Sequence, residues 1–189
     1  MEINLLAPDT TKEWTYEDLQ LFDEDFYCEI LNGELYMSPS PSKKHQYVLG
    51  KIYTLFENFV ERNSLGEIFF APLDVKLDTK NVVQPDLIFI STGNTNYKNT
   101  TETIIIGAPD LVLEIVSPYS VRRDYYTKLK TYEKYSIKEY WIVDPANEVV
   151  EVFSLTDQNE YELFSNMVKK GNIESKILKG FQLNLDIIF

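Results

Sequence analysis

The period of the apolar residues changes several times along the chain, and each change marks an element. Thr15 reads as the cap of a short helix, with Asp18 three residues on as its capping partner. From Phe26 to Met37, two apolar runs flank Asn32-Gly33, the strongest short-range hairpin signal. A two-residue turn there pairs Leu31 with Glu34, Ile30 with Leu35, Glu29 with Tyr36 and Cys28 with Met37. Ser38-Pro-Ser-Pro-Ser42 reads as a rigid turn leading into a helix of about twenty residues that starts near Ser42. His45, Val48, Leu49, Ile52, Leu55, Phe56, Phe59 and Val60 form its apolar stripe, and Asn63-Ser-Leu-Gly66 ends it.

Leu73 to Asp78 alternates like a half-buried strand, whereas Val82 to Ile90 is apolar on both faces and reads as a central strand. Pro85 inside that run cannot donate to a ladder, so an irregularity is expected just before Asp86. A polar loop over 91–103 leads to a second central strand, Leu111 to Val116, which Ser117-Pro118 ends. Helical spacing from Val121 to Ser136 places Val121, Tyr125, Leu129, Tyr132 and Ser136 on one face, with Lys128 at its edge. Glu139 to Val143 is another apolar strand, Asp144-Pro-Ala-Asn147 a turn, and Val149 to Leu155 its hairpin partner. The end of the chain reads as short strands and an apolar segment, Phe181 to Phe189, docking on the sheet. No repeat or linker interrupts this order, so a single α+β domain over 1–189 is expected.

Composition narrows the function. The chain has one cysteine, Cys28, and one histidine, His45, which excludes an intrachain disulfide and Cys-rich or multi-histidine metal sites. No run is long and apolar enough to span a bilayer and no signal segment is evident, so a soluble, cytoplasmic protein is expected. The net charge of −12 speaks against a generic nucleic-acid coat, since that affinity comes from Lys and Arg on phosphates. Lys43, Lys44, Arg122, Arg123, Lys128 and Lys130 nevertheless cluster near the segments of interest, and a charge total does not show where the field is positive.

Asp86 and Glu114 stand in apolar runs, where a carboxylate is paired, protonated or bound to a metal. Two such acids on neighbouring strands suit Mg²⁺ or Mn²⁺, with Lys128 as the candidate ammonium for phosphoryl charge. Buried structural ion pairs would account for the same residues, and Lys128 could equally snorkel at a core margin. Glu29 reads either as a solvated acid on the outer face of its hairpin or as a site residue. His45 reads as a hydrogen-bonded histidine at the margin of the core, with a catalytic histidine as the alternative. No phosphate-cradling glycine loop supports a hydrolase of small phosphorylated molecules.

Gln84-Pro-Asp86, Ala108-Pro-Asp-Leu-Val-Leu-Glu-Ile-Val-Ser-Pro118, Asp124 to Lys128 with Tyr132, and Glu139-Tyr-Trp-Ile-Val-Asp-Pro145 together resemble the Uma-type putative restriction endonuclease family. The likeness extends to Tyr27 to Leu35, Pro41 to Gln46 and Gly180 to Leu183. That family falls in the PD-(D/E)XK nuclease superfamily. The resemblance implies a restriction-endonuclease-like core, a mixed sheet flanked by helices with an N-terminal hairpin. It also implies a Mg²⁺-dependent endonuclease, hydrolysing DNA phosphodiesters with a metal-activated water and working as a homodimer. Asp86 and Glu114 match the motif acids, and the Ile115 main-chain carbonyl is the implied third metal ligand. The lysine usual two residues after the second acid is replaced by Val116, which moves that role to Lys128. Glu29 resembles the additional N-terminal acid of such sites. The competing reading keeps the fold without turnover, as a binding or assembly protein.

Overall fold

The computed structural model describes residues 11–22, 27–37, 40–95 and 103–189. The expected turn at Ser38-Pro39, the strand start at Phe26 and the loop over 96–102 lie outside the described residues. A short helix, α1 (Tyr16–Leu19), opens as anticipated, with the Asp18 carboxylate accepting from the Thr15 N–H (2.9 Å) and hydroxyl. Next comes the hairpin of β1 (Cys28–Leu31) and β2 (Glu34–Met37), in the predicted register from Cys28↔Met37 to Leu31↔Glu34. Its turn requires positive φ at both central residues, and Asn32 (53°) and Gly33 (80°) supply it. A Cβ at Gly33 would meet the Glu13 side chain at 2.7 Å.

Helix α2 (Lys43–Arg62) is capped by Ser42, whose side chain accepts from the His45 N–H. It buries Val48, Leu49, Ile52, Phe56 and Val60. Six strands follow: β3 (Gly66–Phe70), β4 (Asp74–Asp78), β5 (Asn81–Val83), β6 (Leu87–Ser91), β7 (Ile104–Ile106) and β8 (Leu111–Ile115). A π-helical turn (Arg123–Lys128) runs directly into α3 (Leu129–Lys134). The remainder is β9 (Glu139–Asp144), β10 (Val149–Leu155), β11 (Tyr161–Val168), β12 (Asn172–Glu174), β13 (Gln182–Asn184) and α4 (Leu185–Ile188).

The strands form a five-stranded sheet in the order β2-β1-β5-β4-β7 and a six-stranded sheet in the order β11-β10-β9-β8-β6-β3, besides the β12–β13 pair. Both large sheets are mixed, with β4/β7 and β8/β9 parallel and the other pairs antiparallel. The single central strand expected over Val82–Ile90 is therefore two strands in different sheets. Pro85 has no N–H for a ladder, and the chain uses Gln84-Pro85-Asp86 to cross between layers.

Alternation sorts the central strands onto two cores. Leu87, Phe89, Leu111, Leu113, Ile115, Trp141 and Val143 face α2. Ile88, Ile90, Val112, Val116, Tyr140 and Ile142 face the five-stranded sheet and Tyr132 of α3. The terminal segment reaches the first core as expected: Phe181 packs on Phe56 (4.2 Å between centroids), Phe59 and Trp141. Among the described residues, no helix is long and apolar enough to cross a membrane.

The helical face expected from Val121 to Ser136 is rotated. The residues turned inward are Asp124, Lys128, Thr131 and Tyr132, while Val121 is 45% exposed. In a π-helical turn the ring closes from i to i+5, so one extra residue enters the turn and shifts every later side chain around the axis. Positive φ at Ser136 (58°) then ends α3.

Candidate active site

Strand β1 lies between β2 and β5 and is covered on both faces. Cys28 and Ile30 pack with Trp14 and Leu35. The opposite face of the pleat, carrying Glu29 and Leu31, turns toward the six-stranded sheet. Glu29 is thus fully buried, which settles it against the solvated reading. Glu114 lies on the face of β8 shared by Val112 and Val116, so it enters the same gap from the other sheet.

Lys128 joins the two acids. Its Nζ is 2.8 Å from Glu29 Oε1 and 2.7 Å from Glu114 Oε1, with only 2% of the residue exposed. The π-helical turn accounts for this placement, because it carries Lys128 from the edge of the helix face to its centre. Glu114 Oε1 also accepts from the Tyr132 hydroxyl (2.7 Å), and Glu29 Oε1 from the Gln84 N–H (2.9 Å). Arg123 Nε lies 3.6 Å from Glu29 Oε2.

Asp86 sits where the chain enters the six-stranded sheet. Its Oδ2 accepts from the Ile115 N–H (2.7 Å) and lies 3.2 Å from His45 Nε2. In β8 the Val116 N–H bonds to Val143 of β9, while residue 115 faces the opposite edge. The N–H and C=O of one strand residue share an edge, so the Ile115 carbonyl is directed to the side of Asp86. Strand β6 begins only at Leu87, so its ladder does not extend to that carbonyl. The structure therefore brings Asp86, Ile115, Glu114, Lys128 and Glu29 together at one junction between the sheets. His45, expected as a hydrogen-bonded histidine at a core margin, finds its partner in Asp86 from the first turn of α2. Among the described residues, no three His, Cys, Asp or Glu side chains form a metal-binding group.

The electrostatics follow from four acids sharing few cations. Burial pushes Glu114 well above the usual carboxylate range; Lys128 opposes this, while Glu29, Asp124 and Asp86 add to it. Burial alone would lower Lys128, but Glu114, Glu29 and Asp124 more than offset it and hold the side chain as an ammonium. Asp124 is pushed up to about 6, chiefly by burial, with Lys128 acting the other way. A folded-state pKa raised for an acid means the native state binds the extra proton. Asp124 thus favours folding below the ordinary carboxylate range, and that contribution is lost as pH rises from about 4 to 6. We expect Asp124→Asn to flatten this part of the stability–pH profile by about 2–3 kcal/mol, measured by urea denaturation across the range. Parallel profiles for the two proteins would refute the assignment.

Arg123 was read only as one of a basic cluster and Asp124 only as part of the family-like segment, because neither belongs to the expected helical face; the rotated face turns Asp124 inward. Tyr132 was legible as a core residue but not as a donor to Glu114.

Residues 15–186 match the family model described as Uma2, putative restriction endonuclease. The chain is 23% identical over 186 residues to the uncharacterized protein slr1290 of Synechocystis sp., covering 97% of this chain and 91% of that protein. Its fold is similar to the crystal structure of a putative nuclease belonging to DUF820 from Anabaena variabilis, with a TM-score of 0.73 and 20% identity. That likeness covers 92% of this chain and 95% of the other. The match over nearly the full length, with the junction of Asp86, Glu114 and Lys128 inside it, places the chain in the Uma2 putative restriction endonuclease family.

Proposed function

We propose that the protein is a Mg²⁺- or Mn²⁺-dependent endonuclease acting on DNA phosphodiester bonds. The observation that carries this reading is the convergence of Asp86, Glu114 and Lys128 at the crossing between the sheets. The donor set fits a hard divalent cation: Asp86 and Glu114 carboxylates and the Ile115 carbonyl offer oxygen only. Asp86 also leaves Oδ1 without a hydrogen bond among the described residues. A cation held by these groups would neutralise phosphoryl charge and lower the pKa of water.

The remaining roles belong to the chain's own residues. The Ile115 N–H and His45 fix the rotamer of Asp86, and the Tyr132 hydroxyl fixes that of Glu114. Lys128 is an ammonium and acts as a positive charge for the reacting phosphate, not as a base. Glu29 holds Lys128 in place from the opposite sheet. Cutting both strands of a duplex in one encounter calls for two such sites, one per strand, which favours a homodimer.

Plasmid nicking with Mg²⁺ or Mn²⁺ tests the reading. Asp86→Asn is expected to lose at least about 100-fold in rate, in line with removal of one preorganised polar group. Equal rates for the two proteins would reject it. The net charge of −12 and the double engagement of Lys128 favour a second reading, a nuclease-fold protein that binds without turnover. Titration calorimetry separates the two: no heat at millimolar Mg²⁺ or Mn²⁺ supports the second.

A further inference from the structure

We infer that Arg123 is the residue that grips a phosphate oxygen of the nucleic-acid backbone, a role that Lys128 is too heavily engaged to fill alone. The inference rests on the nuclease reading and deepens it. Lys128 has three donors, and Glu29 and Glu114 already occupy its ammonium at 2.8 and 2.7 Å. Arg123 is placed differently. Among the described residues, its Nε is buried without a hydrogen-bond partner, and so is Glu29 Oε2, 3.6 Å away. At that separation the carboxylate attracts the guanidinium but does not use its donors.

The orientation of Arg123 is set from a second side. Its guanidinium carbon lies 5.6 Å over the ring of Tyr36, and Tyr36 is the cross-strand partner of Glu29 in the β1–β2 hairpin. A charge below and a ring face beside it hold the planar fork at the entrance of the junction. The side chain keeps 16% of its surface exposed, against 2% for Lys128, so solvent and solutes reach it. The i to i+5 closure of the π-helical turn makes residues 123 and 128 neighbours, which an α-helix would not do. A planar, permanently charged fork with unused donors fits the tetrahedral oxygens of a phosphodiester.

The test is fluorescence anisotropy with a short labelled DNA duplex, with and without Mg²⁺, over a series of salt concentrations. For Arg123→Gln we expect about tenfold weaker binding, and a slope of log K against log salt reduced by about 0.9, the signature of one lost phosphate contact. Arg123→Lys should recover the slope, because it restores the charge, while binding more weakly than the wild type because it lacks the fork. A residue that merely held Glu29 in place would leave the slope untouched, and an unchanged slope in Arg123→Gln overturns the inference. Failure of the wild-type protein to bind duplex overturns it together with the nuclease reading. Wild-type binding without any metal-dependent nicking overturns only the latter. Near-ultraviolet circular dichroism of both variants confirms that they compare like folds.

Discussion

Replacing Lys128 with methionine is expected to lower stability by about 3–5 kcal/mol, the usual cost of removing one partner from a buried ion pair. In a chain of this length that corresponds to a fall in melting midpoint of roughly 10 °C or more. Methionine fills much of the same volume, so the loss comes from Glu29 and Glu114, which are left facing each other without the ammonium 2.7–2.8 Å from both. Without it the acids must take up protons to stay buried. The deficit should therefore grow as pH rises from 5 to 8, because deprotonation becomes progressively harder to avoid. Adding Glu29→Gln and Glu114→Gln to the same protein should restore a large part of the loss. Thermal and urea denaturation at several pH values decide the matter. A deficit below about 1 kcal/mol, or one independent of pH, would mean the pair is not the anchor described.

Glu139→Ala is the second large loss, again about 3–5 kcal/mol, and its cause is different. Glu139 is fully buried at the start of β9, and its carboxylate accepts four hydrogen bonds. Trp141 Nε1 (2.6 Å) and the Ser175 hydroxyl (2.7 Å) meet Oε1, while the N–H groups of Lys176 (2.7 Å) and Ile177 (3.1 Å) meet Oε2. Alanine removes every acceptor and leaves those donors inside the protein, each unmet donor costing about 1–3 kcal/mol before relaxation. Relaxation is easiest in the segment around Ser175, so the turn between β12 and β13 should loosen first. Hydrogen exchange checks this: the amides of Lys176 and Ile177 should lose protection more than those of β9. Uniform loss across the sheet would instead indicate global destabilisation without a local staple.

These two residues also show where the sequence was readable. Local chemistry spoke clearly. Asn32-Gly33 dictates a turn that fixes the hairpin register, and the stripe from Val48 to Val60 with Ser42 at its head dictates a capped helix. Strands apolar on both faces declared themselves central, and the acids inside them, Asp86 and Glu114, stood out because a charge there demands an explanation. What stayed hidden depends on partners far away in the chain. Pro85 announced a break, but which sheet each half joins is decided by pairing with β1 and β8, not by the residues on either side. The solvated reading of Glu29 failed because nothing local reveals that β1 is covered on both faces. The inward turn of Asp124 follows from one extra residue in a helical turn, a change of period too short to detect against an ordinary helical wheel. His45 meets Asp86 across 41 positions and Arg123 meets Glu29 across 94, distances over which no pattern in sequence carries.

The bridge through Lys128 has a consequence for ligand affinity. Glu29 belongs to one large sheet and Glu114 to the other, so the ammonium between them is a rivet between the two layers. Any cation that draws Glu114 toward itself must compete with that rivet, and its observed affinity is its intrinsic affinity less whatever the layers lose in cohesion. With Glu114 as the proposed cation ligand, binding strength and mechanical coherence would be drawn from one reservoir. Variants that loosen the contact between sheets should bind cations more tightly, and variants that tighten it should bind them less well.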